Sequence, residues 1–247
     1  MLSLVCAQYF STMANCSSVA VFKIFEVCLM SKKVAVILAG SGVYDGSEIH
    51  EAVITLLALD RQDAEVQCFA PNMTQSHVVN HLSGEVSEGE SRNVLIEAAR
   101  IARGNITDIV ELETSNFDAL IIPGGFGVAK NLCDFALNGA DMTMDDNVLL
   151  AAQSFKQASK PIGLMCIAPV MAAAIFGQGV QCTIGTDKDT AALLNAMGAD
   201  HMNAEVNHVV VDEDNKLVTT PAYMLAETIS QAADGIEELV ERVIALS

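Results

Sequence analysis

From Lys33 onward, short apolar runs bounded by turn residues alternate with longer stretches in which apolar residues recur at the helical period. Strands separated by helical crossovers pair in parallel, and the helices then cover both faces of the sheet. The first run, which begins at Lys33, is almost continuously apolar, as is typical of a strand buried on both faces. The pattern therefore predicts an α/β chain whose strands are KVAVILAG, EVQCFA, DALIIPGGFG, PIGLM and VQCTIG.

Helical periodicity fills the spaces between these runs. Residues 48–59 form the first predicted helix, with an apolar side made of Ile49, Val53, Leu56 and Leu57. The last helix is predicted to lay an apolar stripe on the sheet through Ile229, Ala232, Ile236, Leu239 and Val243. Further helices are predicted at residues 93–103 and after a cap at Thr186 or Asp187. The polar stretch after Pro71 is interpreted as an insertion or lid, and HVVVDEDNKLVTT as a hairpin.

The charge of the chain disfavours two classes of partner. There are 13 Lys and Arg against 31 Asp and Glu, which gives a formal net charge of -18. Such a surface repels phosphate backbones and anionic lipids, so neither nucleic acid nor a membrane is an expected partner. The seven cysteines include no C-x-x-C pair and no zinc-like spacing, which indicates a reducing compartment rather than a disulfide framework or a metal site.

The first 29 residues differ from the rest of the sequence. They lack the basic start of a secretion signal and the arginines of an organelle transit peptide. Met30 is followed at once by SKKVAVILAGSG, which is typical of the start of a cytosolic α/β protein. Residues 1–29 are therefore expected to be an over-extended start or a disordered extension, residues 30–247 a single domain, and the location cytoplasmic.

Cys166, in the stretch KPIGLMCIAPVMAAAIFG, is the first candidate for chemistry. Proline is tolerated only in the first helical turn, so Pro169 predicts that a helix begins near Ile167. Cys166 then lies at a strand-to-helix junction, where free N–H groups and the helix dipole lower the pKa of a thiol. Two interpretations stay open, a nucleophile on a sharp turn and a small buried cysteine without a catalytic role.

Two further features accompany this cysteine. The glycine turn PGGFG ends the preceding strand and can present backbone N–H groups to developing negative charge, together with the N–H of Ile167. The alternative is a plain tight turn. Glu48, at the mouth of the first predicted helix, is a candidate general acid or base near the strand ends. The alternative is a first-turn glutamate that complements the helix dipole.

Other motifs are incomplete. Gly40, Gly42 and Gly46 are spaced G-x-G-x-x-x-G, which lacks the third glycine of a dinucleotide site. His77 and His81 have the i, i+4 spacing of a metal pair, but no carboxylate completes the pattern, and solvent exposure is the favoured interpretation. No G-x-S-x-G is present, and no metal or cofactor is expected.

In order along the chain, KKVAVILAGSG, YDGSEIHEA, PGGFG, GLMCIAP and VTTPAYM resemble the class I glutamine amidotransferase-like superfamily, in the branch of the PfpI proteins and the protein deglycases. The chain is similar in particular to the ElbB-type glyoxalases (sigma cross-reacting proteins). That resemblance extends from about Lys32 to the C-terminus. It implies a flavodoxin-like three-layer sandwich with a mostly parallel sheet and a small hairpin, assembled as a homodimer.

The resemblance also implies roles for residues. Cys166 corresponds to the nucleophile and Glu48 to the glutamate beside it, and the N–H groups of Gly124, Gly125 and Ile167 surround the substrate oxygen. PfpI-type proteases have a histidine where this chain has Ile167, which argues against peptidase activity. The function implied is a cofactor-independent glyoxalase that converts glyoxal, a small dicarbonyl, to glycolate. The alternatives are a non-catalytic redox-responsive or partner-binding protein and a protein deglycase.

Overall fold

A seven-stranded sheet forms the centre of the chain, and the computed structural model describes residues 31–247 around it. The predicted extension at residues 1–29 lies outside the described residues. The strands of the described part are β1 (Lys33–Ile37), β2 (Glu65–Ala70), β3 (Val79–Asn80), β4 (Glu85–Val86), β5 (Ile106–Asp108), β6 (Ala119–Ile122), β7 (Ile162–Met165), β8 (Gln181–Cys182), β9 (Asp200–His201), β10 (Val210–Asp212) and β11 (Leu217–Thr220).

The main sheet has the strand order β10-β11-β7-β6-β1-β2-β5, and every pair in it is parallel except β10 with β11. Two small sheets, β3 with β4 and β8 with β9, lie outside it. The helices are α1 (Ile49–Arg61), α2 (Val94–Ile101), α3 (Phe135–Asn138), α4 (Asp146–Gln157), α5 (Ala172–Phe176), α6 (Lys188–Met197) and α7 (Ile229–Leu246). The predicted α/β fold with a mostly parallel sheet, flavodoxin-like, and a small hairpin at β10–β11 is confirmed.

Side chains of β1 alternate between two hydrophobic clusters, one on each face of the sheet. Ala35 and Ile37 belong to one cluster, and Val34 and Val36 to the other. All four are fully buried, as the unbroken apolar run predicts. Because β1 lies between β2 and β6, helices can cover it on both sides.

One predicted strand differs from the structure, and two elements of the structure were not predicted. Only Gln181–Cys182 of VQCTIG is a strand, and it pairs with β9 instead of joining the main sheet. The edge strand β5 and the helix α4 were not predicted. β5 is three residues long and two of the three are polar, which leaves too short a pattern to detect.

Three of the four residues on the apolar side predicted for the first helix are exposed instead of facing the sheet, and the fourth, Leu56, is half-buried against the core. Ile49, Val53 and Leu57 are 44%, 48% and 42% exposed. The buried side carries Glu51, Ala52, Ile54, Thr55, Ala58 and Leu59. These mostly short side chains let α1 pack closely on β2 and α7. The stripe predicted for α7 is buried at Ala232, Ile236, Leu239 and Val243, whereas Ile229 is 49% exposed.

The carboxyl ends of β1, β6, β7 and β11 meet at one edge of the sheet, and the loops that follow them build the candidate site. Ligand sites of open parallel sheets lie at this edge. Across residues 31–247, no helix combines the length and the apolar character needed to span a bilayer.

Candidate active site

Cys166 lies directly after β7, at the predicted strand-to-helix junction. Its φ angle is 59°, in the left-handed region that favours glycine, and its N–H donates to Thr220 O at 3.0 Å. A 3-10 turn at Ala168–Met171 follows, with Pro169 in its first turn. A non-glycine residue held at such an angle stores strain, which is common at functional sites. The thiol is nearly buried, with 8% of the residue exposed.

The carboxyl group beside this thiol belongs to Glu51. Glu51 is fully buried, and its side chain is hydrogen-bonded to the Cys166 thiol. Its Oε2 accepts from the N–H of Gly124 at 2.8 Å, and its Oε1 accepts from the N–H of Tyr223 at 3.2 Å. Both carboxyl oxygens are therefore fixed by backbone donors, which leaves little freedom in the position of the acid.

Glu48, the predicted partner of the thiol, has a different contact, and the carboxyl that is hydrogen-bonded to the thiol is that of Glu51. Glu48 caps α1, because its Oε2 accepts from the N–H of Glu51 at 2.7 Å. This is the helix-terminus alternative considered for Glu48 in the sequence. Glu51 is one turn further on, on the side of α1 that faces the sheet, so its carboxyl reaches the end of β7.

Burial sets the protonation of the pair. It raises the pKa of Glu51 from 4.5 to about 7, and the charge of Glu48 adds to this rise. Burial also raises the pKa of the Cys166 thiol well above its usual value of 9.0, and the carboxyl of Glu51 adds to that rise. The predicted lowering of the thiol pKa by a helix dipole is therefore wrong, since the helical segments after Cys166 have only four and five residues.

Two of the three N–H groups predicted to surround the substrate oxygen contact the sulfur in the structure. The N–H groups of Gly125 and Ile167 hydrogen-bond to the Cys166 sulfur. The N–H of Gly124, which was also predicted to bind the substrate oxygen, donates instead to Glu51. Gly124 therefore positions the acid.

Gly124 leaves no room for a side chain. An ideal Cβ there would lie 2.4 Å from Cys166 Cβ, 2.7 Å from Glu51 Oε2 and 3.0 Å from Cys166 Sγ. The thiol and the carboxyl therefore flank this one glycine. The following residue, Gly125, has φ +103°, and a Cβ there would lie 2.4 Å from both Glu48 N and Gly46 O. The glycine turn is thus packed on the first loop as well as on the thiol.

A second pair of side chains, which no sequence motif assigns to the site, meets at the start of α1. His50 Nδ1 lies 2.8 Å from the hydroxyl of Tyr223. Tyr223 is also the residue whose N–H binds Glu51. In the sequence His50 lies two residues after Glu48, at the same helix end, and Tyr223 lies within VTTPAYM, a motif of the resemblance. The pairing needs the fold, because 173 residues separate the two positions.

Asn131 joins the loops that surround the site. Its Oδ1 accepts from Ser76 N at 2.9 Å, and its Nδ2 donates to Ala39 O and Asp45 O at 3.0 Å each. Asn131 lies in a π-helical turn, Val128–Leu132, directly after the glycine turn. Such turns are frequent at functional sites. A lone asparagine gives no pattern from which this role could be predicted.

The two histidines of the insertion do not form a metal pair. His81 is 3.3 Å from Tyr44 N and contacts Asp45, whereas the Nδ1 atom of His77 is buried without a hydrogen-bond partner. Within residues 31–247, no group of three or more histidine, cysteine, aspartate or glutamate side chains has the arrangement of a metal site.

The parallel sheet, the strained cysteine and the buried glutamate define an α/β protein of the class I glutamine amidotransferase-like type. No family model matches the chain. It is 49% identical over 224 residues to the human glutamine amidotransferase-like class 1 domain-containing protein 3, mitochondrial, a match that covers 87% of this chain and 83% of that protein. It is 47% identical to the rat ES1 protein homolog, mitochondrial, with 87% and 84% covered.

Two solved structures extend this comparison. An isoprenoid biosynthesis protein with an amidotransferase-like domain from Ehrlichia chaffeensis is 38% identical, with a TM-score of 0.82 and 87% and 99% of the two chains covered. A glyoxalase III from Candida albicans shares the fold at 16% identity, with a TM-score of 0.55 and 87% and 97% covered. The chain belongs to the family of glutamine amidotransferase-like class 1 domain-containing proteins, which includes the ES1 proteins.

These relatives overturn the predicted cytoplasmic location, because both are named as mitochondrial proteins. The prediction rested on the missing arginines in residues 1–29 and on unpaired cysteines. Unpaired cysteines indicate reducing conditions without distinguishing one reducing compartment from another.

Proposed function

We propose that this protein is a cofactor-independent glyoxalase of the ElbB type, which converts glyoxal and water to glycolate with Cys166 as nucleophile and Glu51 as acid and base. The observation that carries the proposal is the hydrogen-bonded pair at the end of β7. A carboxyl group with a pKa of about 7 is held against a thiol on a sharp turn. A base is most effective when its pKa lies close to the working pH.

In the first step the sulfur of Cys166 attacks one carbonyl carbon of glyoxal, designated C1, and Glu51 removes the thiol proton as the C–S bond forms. The high thiol pKa makes this proton transfer necessary, because the resting thiol is neutral. The C1 oxygen takes up the electron pair of the carbonyl bond beside the N–H groups of Gly125 and Ile167. Protonation of that oxygen by Glu51 completes a hemithioacetal.

In the second step the ionised carboxylate of Glu51 removes the hydrogen of C1 as a proton, and the electron pair moves to the C2 oxygen. The hydroxyl proton of C1 then passes to that oxygen. Glu51 returns its own proton to C2, which leaves a thioester at C1 and a hydroxymethyl group at C2. One C–H bond is broken and one is formed, so no external oxidant or reductant takes part.

In the last step water adds to the thioester carbon, the C–S bond breaks, and glycolate leaves while the sulfur recovers its proton. The sum is one glyoxal and one water to one glycolic acid. The side chains of Cys166 and Glu51 end in their starting states. This scheme requires neither a metal ion nor glutathione.

The test is turnover of glyoxal by the purified protein without added thiol, with glycolate followed by proton NMR. Cys166→Ser should lower kcat/KM by about a thousandfold or more, and Glu51→Gln should have a comparable effect. Glu48→Gln serves as the matched control, since Glu48 caps α1 and should alter the rate much less. Equal loss in both glutamate variants would contradict the assignment of the base.

Turnover in D2O tests the proton transfer itself. A proton held by Glu51 that exchanges with solvent before it returns to C2 leaves one deuterium in glycolate. Deuterium at C2 would exclude a direct hydride shift, which keeps both original hydrogens. If no glycolate forms from glyoxal while mild peroxide oxidises Cys166, the glyoxalase proposal fails and the protein is redox-responsive instead.

We also propose that the protein is mitochondrial, as the names of its relatives suggest, and that it is a homodimer. Support for the dimer comes from the exposed stripe of Ile49, Val53 and Leu57 on α1. A chain with a net charge of -18 can meet a second copy most favourably through an uncharged apolar face. Val53→Asp should shift the mass measured by light scattering from dimer to monomer, whereas the control Val110→Asp should not.

A further inference from the structure

Tyr223 is attached to the candidate base through its backbone. It follows β11 within a 3-10 turn, Ala222–Met224, in which Ala222 has a φ of 43°. This turn directs the N–H of Tyr223 to Glu51 Oε1 at 3.2 Å. The side chain then extends to the first turn of α1, where its hydroxyl meets His50 Nδ1 at 2.8 Å. A phenol and an imidazole are thus linked to the site whose carboxyl contacts Cys166.

The hydrogen bond between these two side chains can run in either direction, because a neutral imidazole carries its proton on either nitrogen. With the proton on Nδ1, histidine donates to the phenol oxygen, and the phenol proton is free to donate to a ligand. With the proton on Nε2, the phenol donates to histidine, and its oxygen can accept from a ligand. The exposed position of His50 lets solvent interconvert the two forms.

The surroundings keep the phenol protonated. Burial raises the pKa of Tyr223, and the charges of Glu48 and Glu51 raise it further. The hydroxyl therefore remains a hydrogen-bond donor across the neutral range. The same charges disfavour a bound anion at this place, so a neutral oxygen is the ligand group that suits it.

We propose that Tyr223 and His50 form a subsite for the second oxygen of the dicarbonyl, the one on the carbon that sulfur does not attack. This inference rests on the proposed function for its chemistry and adds the group that selects dicarbonyls over simple aldehydes. The C2 oxygen begins as a carbonyl, which accepts a hydrogen bond, and ends as a hydroxyl, which donates one. A pair whose hydrogen bond can reverse serves both states.

The test measures reversible addition of an aldehyde to Cys166, which does not depend on turnover. Cys166 is alkylated with iodoacetamide at increasing concentrations of glyoxal or acetaldehyde. The alkylated fraction of Cys166 is read by peptide mass spectrometry. Tyr223→Phe removes one oxygen and keeps the backbone N–H that holds Glu51. Loss of one hydrogen bond should raise the half-protecting concentration of glyoxal about fivefold and leave that of acetaldehyde unchanged.

His50→Gln should also raise the half-protecting concentration of glyoxal, since it removes the imidazole that orients the phenol. Tyr44→Phe is the control for loss of a phenol hydroxyl elsewhere, and it should leave the half-protecting concentrations of both aldehydes unchanged. The alkylation rate without aldehyde should match the wild type in every variant, which shows that the thiol environment is intact. An equal shift for both aldehydes, or no shift in Tyr223→Phe, overturns the subsite.

The two proposals fail in different ways. If glyoxal protects Cys166 but no glycolate forms, the glyoxalase proposal is wrong, and the comparison of Tyr223→Phe with the wild type still decides the subsite. If glycolate forms at the same kcat/KM in Tyr223→Phe and the protection constants agree, the subsite is wrong and the glyoxalase stands. If glyoxal gives no protection at all, both are refuted.

Discussion

The buried carboxyl of Glu51 should make this protein less stable as the pH rises. A carboxyl group whose pKa is 4.5 in the unfolded chain and about 7 in the folded protein binds protons more tightly when folded. Its contribution to stability is complete below pH 4.5 and is lost as the pH rises through about 7. This direction is opposite to that of a carboxylate stabilised by an ion pair.

The magnitude follows from the interval between the two pKa values. One pH unit of pKa difference corresponds to about 1.4 kcal/mol, so ionising Glu51 costs the folded state about 3 kcal/mol at most. Between pH 5 and pH 8, about 2–3 kcal/mol of this cost should appear. An amide is nearly isosteric with a carboxyl, but its NH2 group would face one of the two backbone N–H donors, so Glu51→Gln should carry a penalty that does not depend on pH. Relative to the wild type, its stability should therefore rise by about 2–3 kcal/mol from pH 5 to pH 8.

The assay is urea unfolding of both proteins at pH 5 and pH 8. Groups that do not interact with Glu51 titrate equally in the two proteins, so the change in their stability difference reports on Glu51 and the thiol paired with it. Glu48→Gln is the matched control, because it leaves the buried carboxyl in place and should keep most of the wild-type pH dependence. If the wild type and Glu51→Gln differ by the same free energy at both pH values, the carboxyl is not desolvated and the argument for a near-neutral base fails.

Three further predictions concern the same site. Glu51→Gln should slow alkylation of Cys166 at pH 8 as well as turnover, since the neutral thiol then lacks the base that removes its proton; an alkylation rate equal to or above that of the wild type would contradict this. Gly124→Ala should destabilise the fold by several kcal/mol and abolish activity, whereas Gly104→Ala, where a Cβ meets nothing within 4 Å, should cost only about 1 kcal/mol in denaturant unfolding. Asn131→Ala should cost about 2–3 kcal/mol, because it leaves buried backbone groups unpaired, and the exposed Asn138→Ala should cost under about 1 kcal/mol in the same measurement.

The strands of the main sheet could be predicted because burial on both faces leaves a strong local pattern. After their first, charged residues, KVAVILAG and DALIIPGGFG are apolar without interruption, and their side chains are needed on both faces of the sheet. The turn at Cys166 could be predicted for a similar reason, since Pro169 fixes where a helical turn can begin. These features depend on residues that are close together in the chain.

The orientation of α1 could not be predicted in this way. Ile49, Val53 and Leu57 form the more apolar side, and the rule that apolar sides face the core assigns them to the sheet. In the structure this rule is overridden by shape, because Ala52, Thr55 and Ala58 allow close approach to the sheet and to α7. Glu51 lies on the side of the helix that this rule assigns to solvent, whereas Glu48, at the mouth of the helix, is at the place where a carboxyl near the strand ends is expected.

The buried side of α1, which the apolar pattern does not predict, and the candidate site have one physical cause. A glutamate on the sheet side of α1 is unfavourable for folding, since its charge is removed from water and its partner is a neutral thiol instead of a cation. Two backbone N–H groups, from Gly124 and Tyr223, offset part of that cost and hold the carboxyl at the end of β7. The stability lost by burying Glu51 is what gives it a pKa near neutrality, so the position that violates the hydrophobic pattern is the position at which acid–base chemistry can occur.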